Sequence, residues 1–398
     1  MAHPTIKIDT NVQATKRALP EDNDEGFDVL DGPDQDDPGL EAGDTESVPP
    51  FLCQSVLEIH QKFEELEWIQ RTRLAEGMLA NDPSHRWALE ADPEVKARNR
   101  YVNVQAWANS RIHLRVNDGE CDFINASPIT LKDSVSQEER RYIATQTFES
   151  GREKCSQYFP LNSDNPLVLL REDERDPFVN NENHPTGDGS VVGAVALLET
   201  TFDEKSRSEI RKLRLTLGAE SKIVWHFLFA GWADYSKPEG DDRSALLHLI
   251  EQSGSKSTPD NPRIVHCSAG VGRTGTFIAL DHLLLELQSD QLLQVTDPEV
   301  DPVFETVNQM REQRMMMVYN EMQLQFIYEV LREQTDRKLG KVPEITGRRS
   351  DERSSKMAKL STESEYLPSS KPELEPVSDR TFTPTRSWSG TPEVSDNE

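Results

Sequence analysis

The stretch from Ile264 to Phe277, IVHCSAGVGRTGTF, constrains the fold more than any other. Ile264 and Val265 are a β-branched pair of the kind that ends a strand. Ser268 to Gly272 contains two glycines and no bulky polar side chain. From Arg273 onward, Phe277, Ile278, Leu280, Leu284 and Leu285 make the apolar face of a helix. A helix start presents free backbone N–H groups and partial positive charge. The loop therefore reads as an anion cradle, with Cys267 at its lip and Arg273 at the helix start.

A thiol is a useful nucleophile only as its thiolate. Free cysteine has a pKa near ~8.5, which helix N-termini and cations lower to roughly 3.5–7.5. Cys267 has such surroundings in the amides of Ser268 to Arg273 and in Arg273 itself. A buried structural cysteine would account for Cys267 alone, but not for the glycines, the helix start and the arginine six residues on. Cys53, Cys121 and Cys155 lack this setting and read as structural. The planar fork of Arg273 matches two oxygens of a phosphoryl group. Thr274 can donate to the sulfur as it leaves, or cap the helix. His266 is expected to order the loop through a backbone hydrogen bond rather than act as a base.

The rest of the chain divides by composition. Residues 1–50 carry 13 Asp/Glu against 3 Lys/Arg and few apolar side chains, so they are expected to be a disordered acidic tail. Residues 51–337 are expected to form one folded domain. It opens with an amphipathic helix from Phe51, in which Leu52, Val56, Ile59, Phe63, Leu66 and Ile69 recur at helical spacing. Residues 111–114 and 121–124 read as a hairpin around Asn117-Asp118-Gly119, 208–217 as a strand, and 222–229 as a buried strand. The acidic, Asn/Gly/Pro-rich segment 171–190 reads as a surface loop. Residues 244–253 and 323–335 read as helices, and 338–398 as a disordered Ser/Thr/Pro-rich tail. The formal charge of -27 argues against nucleic acid as a partner. No apolar run approaches a membrane span. The scattered cysteines fit a reducing, intracellular setting.

The string His266-Cys267-Ser268-Ala269-Gly270-Val271-Gly272-Arg273-Thr274-Gly275 resembles the protein tyrosine phosphatase signature, H-C-x5-R-[ST]. Further similarity runs from about Phe51 to Arg337. RNRYVNV (98–104) resembles the family's substrate loop, which implies that Tyr101 stacks on the phenyl ring of phosphotyrosine. Asn103 stands where the family often has aspartate. Glu149 would brace Arg273, and Lys154 would sit near the acid loop. FAGWADYSKP (229–238) is similar to the mobile acid loop, with Ala233 in place of the usual proline. The resemblance makes Asp234 the acid for the tyrosyl oxygen, then the base for water. QRMMMVYNEMQLQF (313–326) resembles the loop that positions this water through Gln323, with Tyr319 in place of a usual glutamine.

About two dozen residues usual in the family, a helix and a central strand, are missing after Gln146, near 146–148. Losing that strand would leave backbone groups unpaired on both its neighbours. The resemblance implies an α/β phosphatase fold, a twisted mixed β-sheet flanked by α-helices. It further implies a monomeric, cytoplasmic or nuclear, non-receptor enzyme that works without metal or other cofactor. Its substrates would be phosphotyrosine proteins. Similarity to fungal members suggests mitogen-activated protein kinases among them. Tyr319 and the missing segment keep a second reading open, a pseudophosphatase that binds phosphotyrosine without turnover. A sulfurtransferase-like thiolate enzyme fits less well, given Tyr101 and Trp232-Asp234.

Overall fold

A computed structural model describes residues 47–116, 119–133, 136–147, 158–170, 191–258 and 260–341. Asn117, Asp118, Glu149, Lys154, Cys155, the 171–190 segment and nearly all of both tails lie outside the described residues. Gly340 onward is a separate unit, of which only Gly340 and Lys341 are described.

The chain enters through a 3-10 turn (Pro50–Leu52), then α1 (Val56–Ala80) and the short α2 (Pro93–Ala97). The hairpin β1 (Ala126–Lys132) and β2 (Glu139–Thr145) follows. Next come β3 (Leu167–Leu170), β4 (Val191–Asp203), β5 (Ser208–Leu217) and β6 (Glu220–Phe229). α3 (Gly240–Gly254) leads to β7 (Arg263–His266), α4 (Gly272–Gln288), α5 (Pro302–Gln313) and α6 (Glu321–Lys338). The strand read at 208–217 and the helices at 244–253 and 323–335 fall inside these elements. The hairpin read at 111–124 is reduced to one bridge, His113 to Phe123, flanked by hydrogen bonds from Leu114 to Asp122 and from Ile112 to Ala126.

Among the described residues the strands form two sheets. One is mixed, in the order β1-β2-β7, with β7 parallel to β2. The other is antiparallel, in the order β3-β4-β5-β6. β7 pairs only with β2 and β6 only with β5, and no described strand joins them. This corrects the reading of 222–229 as a buried strand. Ile223 is 42% and Val224 37% exposed, because β6 is an edge whose apolar side chains find no covering layer among the described residues. Tyr158 bridges the seam. Its hydroxyl meets His226 Nε2 on β6 at 3.0 Å and His266 Nε2 on β7 at 2.6 Å.

The helix read from Phe51 starts instead at Val56. Phe51 and Leu52 pack into the core from the preceding turn. Ser55 stops the helix from extending further back, through a capping box. Its hydroxyl accepts from Glu58 N at 3.3 Å, and its own N–H donates to Glu58 Oε2 at 2.6 Å. The main core lies along α4, α5 and α6. Ile278, Leu280, Leu283, Val307, Met310, Leu324 and Ile327 are all without exposed surface there. This packing fixes the start of α4, and so the loop that precedes it.

Candidate active site

β7 runs directly into the loop from Cys267 to Val271. The loop rests on the end of β2 so closely that a Cβ on Gly270 would lie 2.2 Å from the Thr145 carbonyl oxygen. Gly270 also has φ +70°, so both space and backbone require glycine. On the other side, a Cβ on Gly275 would meet Val318 N at 2.5 Å, and Val318 N–H donates to the Val271 carbonyl at 3.0 Å. The loop is thus held between β2 and the Met315–Tyr319 turn.

Burial alone pushes the Cys267 thiol up, but the Thr274 hydroxyl and amide, the Arg273 charge and the Gly270 amide together bring it below its ordinary value. The Gly270 N–H reaches the sulfur at 3.3 Å. The buried Thr274 hydroxyl makes no well-formed hydrogen bond among the described residues. A thiolate at Cys267 is the acceptor it lacks, and on that ground we count it among the groups holding the charge on sulfur. The folded pKa lies below the unfolded one. The sulfur charge therefore stabilises the fold above the ordinary thiol pKa, and this contribution is lost as pH falls through the lowered value. Alkylation of Cys267 by iodoacetamide should reach half its maximal rate at a pH below that of free cysteine. A midpoint at or above the free-cysteine value would contradict this electrostatic account.

Arg314 supports the loop from beneath and was missed in the sequence. It has no exposed surface, and burial draws its pKa down to about 10 against the opposing pull of Cys267. Its guanidinium donates to Gly270 O at 2.8 Å, Ala269 O at 3.0 Å and Asn125 Oδ1 at 2.7 Å. An arginine inside the Met-rich run QRMMMV was the available signal. Arg314→Ala would leave these acceptors dry and unpaired, and should cost about 3–5 kcal/mol. Urea unfolding checks this, and a loss below about 1 kcal/mol would show the network to be dispensable.

The acid loop lies over the cradle. Arg273 donates to the Trp232 carbonyl at 2.7 Å and pairs with the Asp234 carboxylate. Trp232 is buried against Phe326, and its indole N–H donates to Ser236 O at 2.8 Å. Ser236 Oγ donates to Ala233 O at 2.9 Å, so the turn closes on itself with alanine in place of proline. α6 and the turn before it clamp the loop from outside. Asn320 Nδ2 donates to Tyr235 O at 3.1 Å, the Tyr235 and Tyr319 rings lie 5.7 Å apart, and Lys237 pairs with Glu329 at 2.7 Å. Tyr235 takes φ +60°, an uncommon backbone state for a bulky side chain.

Tyr101 and Ser268 hydroxyls meet at 2.7 Å. Gln146 positions this wall by donating to Arg98 O at 2.8 Å and accepting from Arg100 N at 3.0 Å. Tyr101, Asn103, Asp234, Cys267, Ser268, Ala269, Val271, Gly272, Arg273, Tyr319 and Gln323 line one cavity of about 70 Å³. An anion reaching Arg273 has to displace the Asp234 carboxylate from it. Gln323 is buried beneath Gly272, and its Oε1 accepts from Tyr319 N at 3.0 Å. His266 does not line the cavity. Its ring hydrogen-bonds the Cys267 backbone and the Tyr158 hydroxyl. Glu149 and Lys154 fall outside the described residues.

Comparisons with known proteins identify the family. The family model described as Protein-tyrosine phosphatase matches in two segments, 95–148 and 147–333. Tyrosine-protein phosphatase 2 of Schizosaccharomyces pombe is 31% identical over 323 residues, covering 71% of this chain and 41% of the relative. Tyrosine-protein phosphatase 1 of Saccharomyces cerevisiae is 31% identical over 328 residues, covering 71% of this chain and 96% of the relative. Among solved structures, the catalytic domain of human protein tyrosine phosphatase non-receptor type 18 superposes with a TM-score of 0.53 at 22% identity, covering 73% of this chain and 100% of that one. No helix among the described residues is long and apolar enough to cross a membrane. With the family model matching most of the domain and with these relatives, the chain belongs to the protein-tyrosine phosphatase family.

Proposed function

We propose that this chain hydrolyses phosphotyrosine in proteins through a phosphocysteine intermediate. The observation that carries the reading is the convergence of Cys267, Arg273, Asp234 and Tyr101, from three distant stretches, on one cavity. Substrate would displace the Asp234 carboxylate from Arg273, which then grips two phosphoryl oxygens. The amides of Ser268 to Gly272 take the others, while Tyr101 and Asn103 hold the tyrosyl residue. The Cys267 thiolate attacks phosphorus, the P–S bond forms, and the P–O bond to tyrosine breaks. Protonated Asp234 delivers its proton to the leaving oxygen. Water oriented by Gln323 then attacks phosphorus. Asp234 takes its proton, and the thiolate leaves with a hydrogen bond from Thr274. Catalysis rests on positioning and charge stabilisation of a loose phosphoryl transition state.

In the same reading, 51–337 is the catalytic domain of a cytoplasmic monomer, with its tails outside the chemistry. Mitogen-activated protein kinases are its candidate substrates. Retention of a tyrosine-phosphorylated kinase on immobilised Cys267→Ser protein tests that choice, and failure to retain it removes the kinase. The principal test is hydrolysis of a phosphotyrosine peptide by the full chain with a metal chelator present. Turnover is expected. A soluble, cooperatively folded protein that binds the peptide without turnover would favour the pseudophosphatase reading. The commitment of Gln323 Oε1 to Tyr319 supports that second reading.

A further inference from the structure

A second polar cluster lies away from the cavity, where α4 passes the turn between β1 and β2. Asp133, His282 and Glu286 each offer one ligand atom, and these atoms lie within 4.8 Å of one another. All three residues are nearly without exposed surface, at 2%, 2% and 1%. His282 and Glu286 are four residues apart on α4, so they share one face, and Asp133 comes in from the turn. Their separations are 3.8 Å from His282 Nδ1 to Asp133 Oδ1 and 3.6 Å from His282 Nε2 to Glu286 Oε1. Both exceed a hydrogen bond. One imidazole gives a single nitrogen to an ion, so only one of these separations can be an edge of a tetrahedral site, where ligands held about 2.0–2.1 Å from the ion lie roughly 3.3 Å apart. The third ligand atom lies within the 4.8 Å span of the cluster. Buried groups of this kind are almost always partnered, yet His282 Nδ1 has no hydrogen-bond partner among the described residues. The Asp133 carboxylate also accepts from Ser136 Oγ at 2.8 Å and Arg140 Nε at 3.3 Å, contacts that orient it and leave lone pairs for another bond.

We propose that Asp133, His282 and Glu286 form a structural site for a divalent cation of the zinc class, fixing the far end of α4 to the β1–β2 turn. One imidazole and two carboxylates suit zinc among the common divalent ions, with a water completing four-coordination. The three residues are nearly without exposed surface, so the ion and its water would be enclosed. The cation takes no part in phosphoryl transfer. It holds the helix whose first turn carries Gly272, Arg273 and Thr274.

The test uses the full chain carrying Cys267→Ser, so that the reactive sulfur does not itself capture metal. The protein is stripped with a chelator and titrated with zinc, reading bound metal by elemental analysis and the melting temperature. One equivalent is expected, with a rise of roughly 5 °C at a hundredfold excess over the dissociation constant. His282→Ala and Glu286→Gln should each lose the bound equivalent and the rise. Glu286→Gln keeps the shape of the side chain should His282→Ala not fold. No stoichiometric uptake by the parent protein overturns the proposal, as does uptake that survives both substitutions. A melting temperature that responds to pH but not to zinc would give the space to a proton and overturn it equally.

Discussion

With Cys267 replaced by serine, phosphotyrosine hydrolysis should fall roughly a million-fold, the scale on which an enzyme feels the loss of its nucleophile. The loop stabilises a charge on sulfur with the Gly270 and Thr274 amides, the Thr274 hydroxyl and Arg273. Together they draw the thiol below its ordinary value against the opposing effect of burial. A hydroxyl starts many pKa units higher, so the same environment leaves it neutral and a poor nucleophile at phosphorus. The substitution is nearly isosteric and touches no core side chain, so the cradle and its affinity for phosphotyrosine should survive. Single-turnover kinetics on a phosphotyrosine peptide, with peptide binding followed by fluorescence anisotropy, measures both. A residual rate within tenfold of wild type would remove Cys267 as the nucleophile.

Asp234→Asn should lower kcat for phosphotyrosine by about 10²–10⁴, the usual contribution of a positioned general acid. The loss should be much smaller for p-nitrophenyl phosphate, whose leaving group departs without a proton. The same substitution should tighten peptide binding, because the Asp234 carboxylate is itself paired with Arg273 and competes with the incoming anion. A split in which kcat falls while Kd also falls distinguishes an acid from a residue that merely shapes the pocket. Equal losses on both substrates would count against the acid role.

Much of this architecture was legible because it is local. The alternation in 208–217 and the apolar periodicity after Arg273 each belong to one segment, and β5 and α4 follow them. The anion cradle was legible for the same reason, since cysteine, glycines and arginine lie within seven positions. The start of α1 was also written in the sequence, as Ser55 and Glu58 three residues apart, but the apolar run beginning at Phe51 obscured it. What stayed hidden depends on pairings between distant segments. Arg314 reaches back 189 positions to Asn125, and Lys237 reaches forward 92 to Glu329. Nothing near either residue announces a partner. The exposure of β6 was hidden for a related reason. Its apolar residues report that it could be buried, and only the neighbouring strands decide whether it is.

The seam between β6 and β7 divides the chemistry as well as the sheet. The thiolate loop hangs from β7, and Tyr101 is tied through Gln146 to the end of β2, so grip and nucleophile share one frame. The proton donor follows β6 on the other. Tyr158, with its hydroxyl on both histidines, is one of the ties between the two frames. Nucleophile and proton donor thus stand on opposite sides of the seam, and Tyr158, Arg273 and the contacts of α6 with the acid loop together hold them over one cavity.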